Sequence, residues 1–199
     1  MRAAEIATLL SVPWRHGAHV DLAGVTCEGM LDLAGRDLPG VDFSGASFPQ
    51  GIDARGARFL GLAWFRGAAI GGQAAFAGAT FSTDARFEDA RFDRRAGFAD
   101  AEFRGIARFD HARFAEGADF ARAVAYGNLS LAHARFDAPA VFRGADCLGG
   151  VWCDSAEFAA GTDFAEMEIH GRLWLRRARL GNAPLDAGRF ALSFGYTYI

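Results

Sequence analysis

The chain contains no lysine, and all 21 of its basic residues are arginine. Without an amine side chain it can have no P-loop lysine, no Schiff-base cofactor site and no lysine general base. Cysteine is also scarce, since Cys27, Cys147 and Cys153 are the only three, and their spacing fits neither a disulfide framework nor a zinc site. We therefore expect reduced cysteines in the core and no cofactor or metal.

Long apolar runs are missing as well, so no stretch of about 18 apolar residues is available to span a bilayer. Residues 1–14 lack the charged, apolar and small-residue order of a secretion signal. The formal charge of −3 comes from 24 acidic residues against 21 arginines, with no basic stretch to attract nucleic acid. These features predict a soluble, cytoplasmic protein that binds neither membranes nor nucleic acid directly.

Phenylalanine, by contrast, is abundant, with 19 residues against three tyrosines. From Phe59 onward, Phe or another apolar residue recurs at steps that alternate between five and six; we call these positions the ladder. In 19 of the 24 ladder positions from Phe59 to Leu185, an alanine stands two residues earlier. The phenylalanines that we assign to the core ladder are Phe59, Phe65, Phe76, Phe81, Phe87, Phe92, Phe98, Phe103, Phe109, Phe114, Phe120, Phe136, Phe142, Phe158 and Phe164.

This spacing fits neither common period, because an α-helix repeats apolar residues every three or four positions and a strand every two. Steps of five and six fit short β-segments, each followed by a turn to the next wall of a tube. Two pairs of such steps make a coil of 22 residues. We therefore predict an all-β solenoid in which residues 22 apart lie one above the other, with Phe and Ala filling the interior.

Several stretches near the N-terminus carry a five-residue pattern: Ala, then Asp or Asn, then Leu or Phe, then two variable residues. Residues 36–40, 41–45 and 46–48 follow it directly. The chain thus resembles the pentapeptide-repeat family over roughly residues 21–190, and the resemblance implies a right-handed quadrilateral β-helix. It departs from the family in its Phe-rich centres and its alternating step, and the register stays open at residues 49–54 and after residue 180.

We predict three segments: an N-terminal cap at 1–16, the β-helix at 17–190 and a tail at 191–199. The apolar spacing of residues 2–10 predicts a short capping helix. Such caps are needed because an open solenoid exposes strand edges at both ends. The aromatic tail leaves the ladder, so it either covers the last coil or joins a second copy, as C-terminal ends do in several family members. Its candidate residues for either role are Phe194, Tyr196, Tyr198 and Ile199.

Outward positions 22 apart form columns, and two of these columns make our candidate interaction surface. Arg91, Arg113 and Arg135 share one column, while Trp152 and Trp174 lie on the wall that also carries Trp64. Each has an alternative explanation. The arginines fit a solvated wall with neighbouring counter-ions, and a covering C-terminal tail accounts equally for the tryptophans.

No catalytic arrangement is evident, since the sequence has no GxSxG motif and its acidic residues are spread along outward columns. We therefore predict a non-enzymatic scaffold that binds another protein, whose identity the sequence does not give. The resemblance implies a second hypothesis, because the family's best-known activity is to protect DNA gyrase by imitating duplex DNA. A DNA mimic needs a strongly negative rod, whereas this chain carries 21 arginines.

Overall fold

The computed structural model describes all residues 1–199 and consists of one α-helix, Ala3–Leu9, 30 short β-strands and a 3-10 turn at Ala187–Arg189. The strands form four sheets, all of whose pairs are parallel except one terminal hairpin. The chain visits the four sheets in turn, so they are the walls of a four-sided β-solenoid. The predicted all-β coil is confirmed.

Walls 1 and 2 are consecutive along each coil. Wall 1 contains His19–Asp21, Gly40–Asp42, Ala63–Trp64, Ala85–Arg86, Ala107–Arg108, Leu129–Ser130, Val151–Trp152, Leu173–Trp174 and Thr197–Tyr198. Wall 2 contains Ser47–Phe48, Ala69–Ile70, Arg91–Phe92, Arg113–Phe114, Arg135–Phe136, Glu157–Phe158, Arg179–Leu180 and Ala183–Pro184.

Walls 3 and 4 complete the coil. Wall 3 contains Leu31–Asp32, Gly51–Asp53, Gln73–Ala75, Ala96–Gly97 and Ala118–Asp119, and isolated bridges extend it to Val141 and Asp163. Wall 4 contains Asp37–Leu38, Arg58–Phe59, Thr80–Phe81, Glu102–Phe103, Val124–Ala125, Asp146–Cys147, Glu168–Ile169 and Leu192–Ser193. With a strand spacing of about 4.8 Å, the nine strands of wall 1 span about 38 Å.

The strand register confirms the 22-residue coil, since Ala85 pairs with both Ala63 and Ala107. The first coil is one residue shorter, because Val20 pairs with Val41 and Leu31 with Ile52. The register that the sequence left open at residues 49–54 is therefore regular, with Ile52 lying between the first and third coils.

The interior is filled by the ladder phenylalanines, all fifteen of which are buried. Rings one coil apart stack face to face: the Phe76 and Phe98 centroids are 5.1 Å apart at an interplanar angle of 3°, and those of Phe98 and Phe120 are 4.9 Å apart at 7°. Rings of neighbouring ladders meet edge to face, as Phe87 and Phe98 do at 5.5 Å. Both arrangements are favoured between aromatic rings.

Where the ladder residue becomes small, its neighbour in the same coil becomes large. Ala125 stands one coil after Phe103, and Leu129 then fills the inward position that Ala107 holds one coil earlier. Both are buried, so the filling of the interior is preserved although the Phe pattern fades. This exchange is what close packing requires, since cores tolerate a redistribution of volume better than a void.

Two kinds of corner connect the walls. At tight corners the Asp of the five-residue pattern holds the turn: Asp42 Oδ1 accepts a hydrogen bond from the Ser44 backbone N–H at 2.8 Å, and Gly45 follows with φ +67°. At the corner between walls 4 and 1, glycines 22 apart stack so closely that a Cβ on Gly149 would lie 2.3 Å from the carbonyl oxygen of Gly127. Gly105, Gly127, Gly149, Gly171 and Gly195 form this glycine column, which the sequence analysis did not identify.

The helix Ala3–Leu9 closes the N-terminal end, as predicted. Ile6 and Leu10 are buried against the first coil, and the Ala3 backbone N–H donates to the Glu28 carbonyl at 2.9 Å. The residues from Ser11 to His16 have no helical structure. No helix of the structure is both long enough and apolar enough to cross a membrane.

The tail at 191–199 differs from the sequence expectation, because it stays in the solenoid. Leu192–Ser193 pairs with Glu168–Ile169, and Thr197–Tyr198 pairs with Leu173–Trp174, at a spacing of 24 instead of 22. A hairpin between Arg179–Leu180 and Ala183–Pro184 and the following 3-10 turn lie within the longer coil. Because of this insertion, the repeat is not visible in the sequence after residue 180.

All three cysteines are free and buried. Burial raises the pKa of the Cys147 thiol to about 12, and it also raises the pKa values of Cys27 and Cys153. Their thiols are therefore neutral core groups at physiological pH, in which state they are poor nucleophiles and poor metal ligands.

Candidate functional site

Wall 1 presents the most varied outward column of the solenoid. The register stacks, in order, Asp21, Asp42, Trp64, Arg86, Arg108, Ser130, Trp152, Trp174 and Tyr198. Large flat side chains thus occupy both halves of the wall, with the small Ser130 between them. This column contains the tryptophans of the sequence-predicted interaction surface.

The C-terminal tail covers part of this column. The Tyr198 ring stacks on Trp174 with centroids 4.1 Å apart and an interplanar angle of 23°. Trp152 lies one coil beyond Trp174 and is not part of that stack; its indole lies over Gly150, where an added Cβ would come within 2.7 Å of the ring. The tail therefore covers Trp174 but not Trp152, and Tyr198 itself remains 39% exposed.

The predicted arginine column lies on wall 2, so the structure separates it from the tryptophans by one corner. Its charges are met by neighbouring carboxylates. Arg113 Nε lies 2.7 Å from Asp137 Oδ2, and Arg135 lies 2.6 Å from Asp137 and 3.1 Å from Glu157. The hydrogen bond from Arg135, with that from Arg113, lowers the pKa of Asp137.

Acidic side chains on the other faces are paired in the same way. Arg122 binds Asp100 across one coil at 2.7 Å, and Arg176 binds Asp154 at 2.9 Å. These hydrogen bonds lower the pKa values of both carboxyl groups, which stay ionised at neutral pH. The walls are therefore interleaved with both signs of charge instead of forming a uniformly negative rod.

The imidazoles of His111 and His133 stack one coil apart, with ring centroids 4.7 Å apart at 3°. His133 Nε2 lies 3.8 Å from Asp154 Oδ2, but that carboxylate is bound to Arg176. No group of three or more His, Cys, Asp or Glu side chains is placed to hold a metal ion.

The C-terminal end exposes the remaining predicted tail residues. Phe194 and Tyr196 are each 79% exposed and Ile199 is 91% exposed. They flank Leu192–Ser193 and Thr197–Tyr198, which are the last strands of walls 4 and 1, so each of these strands has one edge without a further strand.

Sequence reasoning did not identify a recess on wall 1 at Ser130. The recess has a volume of about 210 Å³ and is lined by Ile106, Arg108, Asp110, Asn128, Ser130 and Trp152. The 22-residue alignment contains its signal, because Ser130 is the one small residue between Arg108 and Trp152 in the column.

Comparisons with known proteins agree with this architecture. A family model of pentapeptide repeats, nine copies long, matches residues 54–102, 87–135 and 98–146. The search of curated proteins finds no match. Among solved structures, the full-length form of QnrB1, a plasmid-mediated fluoroquinolone resistance protein, aligns over 91% of this chain and 89% of its own, with 20% identity and a TM-score of 0.38.

Two trypsin-treated variants of QnrB1 align similarly. They cover 90% and 91% of this chain and 86% and 83% of their own, with 18% and 22% identity and TM-scores of 0.40 and 0.42. These values transfer no function to the present chain. The repeat matches and the four-walled coil of 22 residues together show that the chain belongs to the pentapeptide-repeat family.

Proposed function

We propose that this protein is a non-enzymatic scaffold that binds another protein through wall 1. The observation that carries the proposal is the column of partly exposed aromatic side chains formed by Trp152, Trp174 and Tyr198. Tryptophan and tyrosine dominate binding energy at protein interfaces, and a rigid parallel sheet holds them at fixed spacing without the entropy loss of a flexible loop.

Two features support a role without catalysis. The interior is filled by stacked rings, so no substrate cavity enters the solenoid. The carboxylates with lowered pKa values, such as Asp100 and Asp137, are bound to arginine on separate walls and do not converge on a common point. A general acid or base would need a pKa near the working pH, and none of these groups is shifted in that direction.

The aromatic column yields a direct prediction for partner binding. In affinity capture from an extract of the source cells, the variant Trp152→Ala/Trp174→Ala should recover the specific partner at least about tenfold less than wild type, since each lost interface tryptophan typically costs 2 kcal/mol or more. Quantitative mass spectrometry of the captured proteins measures this ratio.

Tyr126→Ala provides the matched control. Tyr126 is an aromatic residue that is 50% exposed and follows a wall 4 strand, so it removes a similar side chain from another face. We expect this control to retain the partner in full. Equal recovery by the double variant and wild type would show that wall 1 is not the interface.

The gyrase hypothesis makes a different prediction. A DNA mimic must offer unneutralised negative charge along its length, whereas Asp100, Asp137 and Asp154 are each paired with arginine. We therefore expect purified protein, over a wide concentration range, to leave DNA supercoiling by gyrase unchanged, with and without a quinolone. Inhibition of supercoiling, or rescue from the drug, would establish the alternative instead.

We further propose that the open C-terminal end pairs with a second copy, as the family resemblance implies. Its support is the pair of free strand edges beside the exposed Phe194 and Tyr196. Size-exclusion chromatography with light scattering should give twice the chain mass of 21.3 kDa for wild type, and the monomer mass for Phe194→Ser/Tyr196→Ser. A monomeric wild type at high micromolar concentration contradicts this proposal.

A further inference from the structure

Arg108 is the one half-buried arginine of this protein that has no partner. Five other arginines also lack an ion pair, but all of them are exposed to solvent: Arg15, Arg36, Arg66, Arg172 and Arg189. The Nε atom of Arg108 is buried without a hydrogen bond. A buried unpaired donor on a charged group is costly, so a structure that keeps one calls for an external partner.

The reason for this isolation is visible one coil away. Arg86, the equivalent residue of the previous coil, lies between Asp84 at 3.8 Å and Glu88 at 3.6 Å. Ile106 replaces the first of these carboxylates in the coil of Arg108. Asp110 replaces the second, but its Oδ1 accepts hydrogen bonds from the Ser130 hydroxyl and, at 3.2 Å, from the Ala132 N–H.

The recess above Arg108 supplies further donors and apolar surface. Asn128 accepts the Gly150 N–H through Oδ1 at 3.0 Å, which leaves its amide NH₂ group free of partners within the chain. Ile106 and the Trp152 indole line the same recess. Unpaired donors from Arg108 and Asn128 thus lie beside two apolar walls, and Asp110 is the only acidic side chain among the lining residues.

We propose that this recess binds the carboxylate of a glutamate or aspartate side chain on the partner protein. The guanidinium of Arg108 and the amide of Asn128 donate to the carboxylate, while the methylene groups of the incoming side chain pack against Trp152 and Ile106. Charge-assisted bonds of this kind are roughly twice as strong as neutral ones. The inference deepens the proposed function, since it assigns the chemistry that wall 1 recognises next to Trp152.

The test uses a small probe on the folded full chain, so it does not depend on finding the partner. The amide of N-acetylated glutamate should shift the NMR signals of Arg108 Nε–H and the Trp152 indole N–H in a saturable way. The matching glutamine amide, which has the same shape without the charge, should bind at least about tenfold more weakly. Equal binding of the two probes overturns the proposal.

Two variants and one control locate the site. Arg108→Gln should abolish the shifts, and so should Asn128→Asp, which keeps the backbone acceptor but replaces the donor. Asp84 shows that aspartate fills this position, because its Oδ1 accepts the Ile106 N–H at 2.9 Å. Arg66→Gln removes an exposed unpaired arginine and should change nothing. Undiminished binding in either recess variant excludes the site.

Acetate separates a side-chain site from a site for free small carboxylates. We expect acetate to bind much more weakly than the glutamate probe, because it lacks the methylene groups that contact Trp152; equal affinity contradicts recognition of a protein side chain. The partner assay separates the two proposals. If Trp152→Ala/Trp174→Ala loses the partner while Arg108→Gln retains it, the carboxylate site is wrong and the proposed function stands.

Discussion

Replacing Phe98 by alanine should lower the free energy of unfolding by about 3–5 kcal/mol, the range for a large aromatic side chain removed from a rigid core. Phe98 is fully buried and contacts four rings: Phe76 and Phe120 face to face, and Phe87 and Phe109 edge to face. The walls fix the position of every ring, so the cavity has little means of collapse. Urea unfolding followed by circular dichroism measures the loss.

Two control variants test the cause. Phe194→Ala removes the one phenylalanine outside the ladder, which is 79% exposed, and should leave stability unchanged. Phe98→Leu should cost much less than Phe98→Ala, because leucine retains most of the buried volume and is itself a usual centre residue in this family. A similar loss in Phe98→Ala and Phe194→Ala would mean that the stacked rings do not stabilise the solenoid.

Gly149→Ala should be nearly as damaging, although it adds only one methyl group. Its Cβ would lie 2.3 Å from the Gly127 carbonyl oxygen and 2.5 Å from the Gly127 carbonyl carbon, and both are backbone atoms held in the neighbouring coil. Relief requires the coils to separate at this corner, which would weaken hydrogen bonds on walls 4 and 1. We expect a loss of about 3 kcal/mol, the upper end for an overpacked site, measured by the same urea unfolding.

Gly97→Ala is the matched control for that prediction. Gly97 lies on wall 3, where an added Cβ would contact only the Ala74 carbonyl oxygen at 3.8 Å, an ordinary van der Waals distance. This variant should be neutral or slightly stabilising, because alanine reduces the entropy of the unfolded chain. If Gly149→Ala were equally harmless, the close stacking of the glycine column would be refuted.

The central architecture could be predicted from the sequence because a single physical rule generates it. A residue such as Phe81 must stack on Phe59 and Phe103 to be buried, so the 22-residue period is written into the chain wherever the ladder is pure. The rule persists where Leu129 compensates for Ala125, but there the pattern is visible only once the frame is known.

The tail was harder to predict because its pairing depends on an insertion. The extra residues between Arg179 and Phe190 shift Tyr198 to a position 24 residues after Trp174, so a search at 22 misses the stack between them. The glycine column was missed for a different reason. Glycine has no side chain to suggest an inward or outward position, and only the distance between coils shows that Gly149 admits no other residue.

The candidate site depends on side-chain detail that a sequence frame does not contain. Alignment at 22 residues placed Trp152 and Trp174 on one wall, yet it could not show that Tyr198 covers only Trp174. Nor could it show that Asp110 turns toward Ser130 and leaves Arg108 unpaired. Such choices are decided by competition among several hydrogen-bond partners at similar distances.

The stacking of residues 22 apart can be tested by disulfide formation between introduced cysteines. Arg91 and Arg113 are Cα partners on adjacent strands of wall 2, within the distance a disulfide spans, whereas Glu102 lies on the opposite wall. Under mild oxidation, the Arg91→Cys/Arg113→Cys variant should form an internal disulfide rapidly and nearly completely, and the Arg91→Cys/Glu102→Cys variant should form none. The reverse result, or equal oxidation of the two pairs, would contradict the four-walled coil on which the whole account rests.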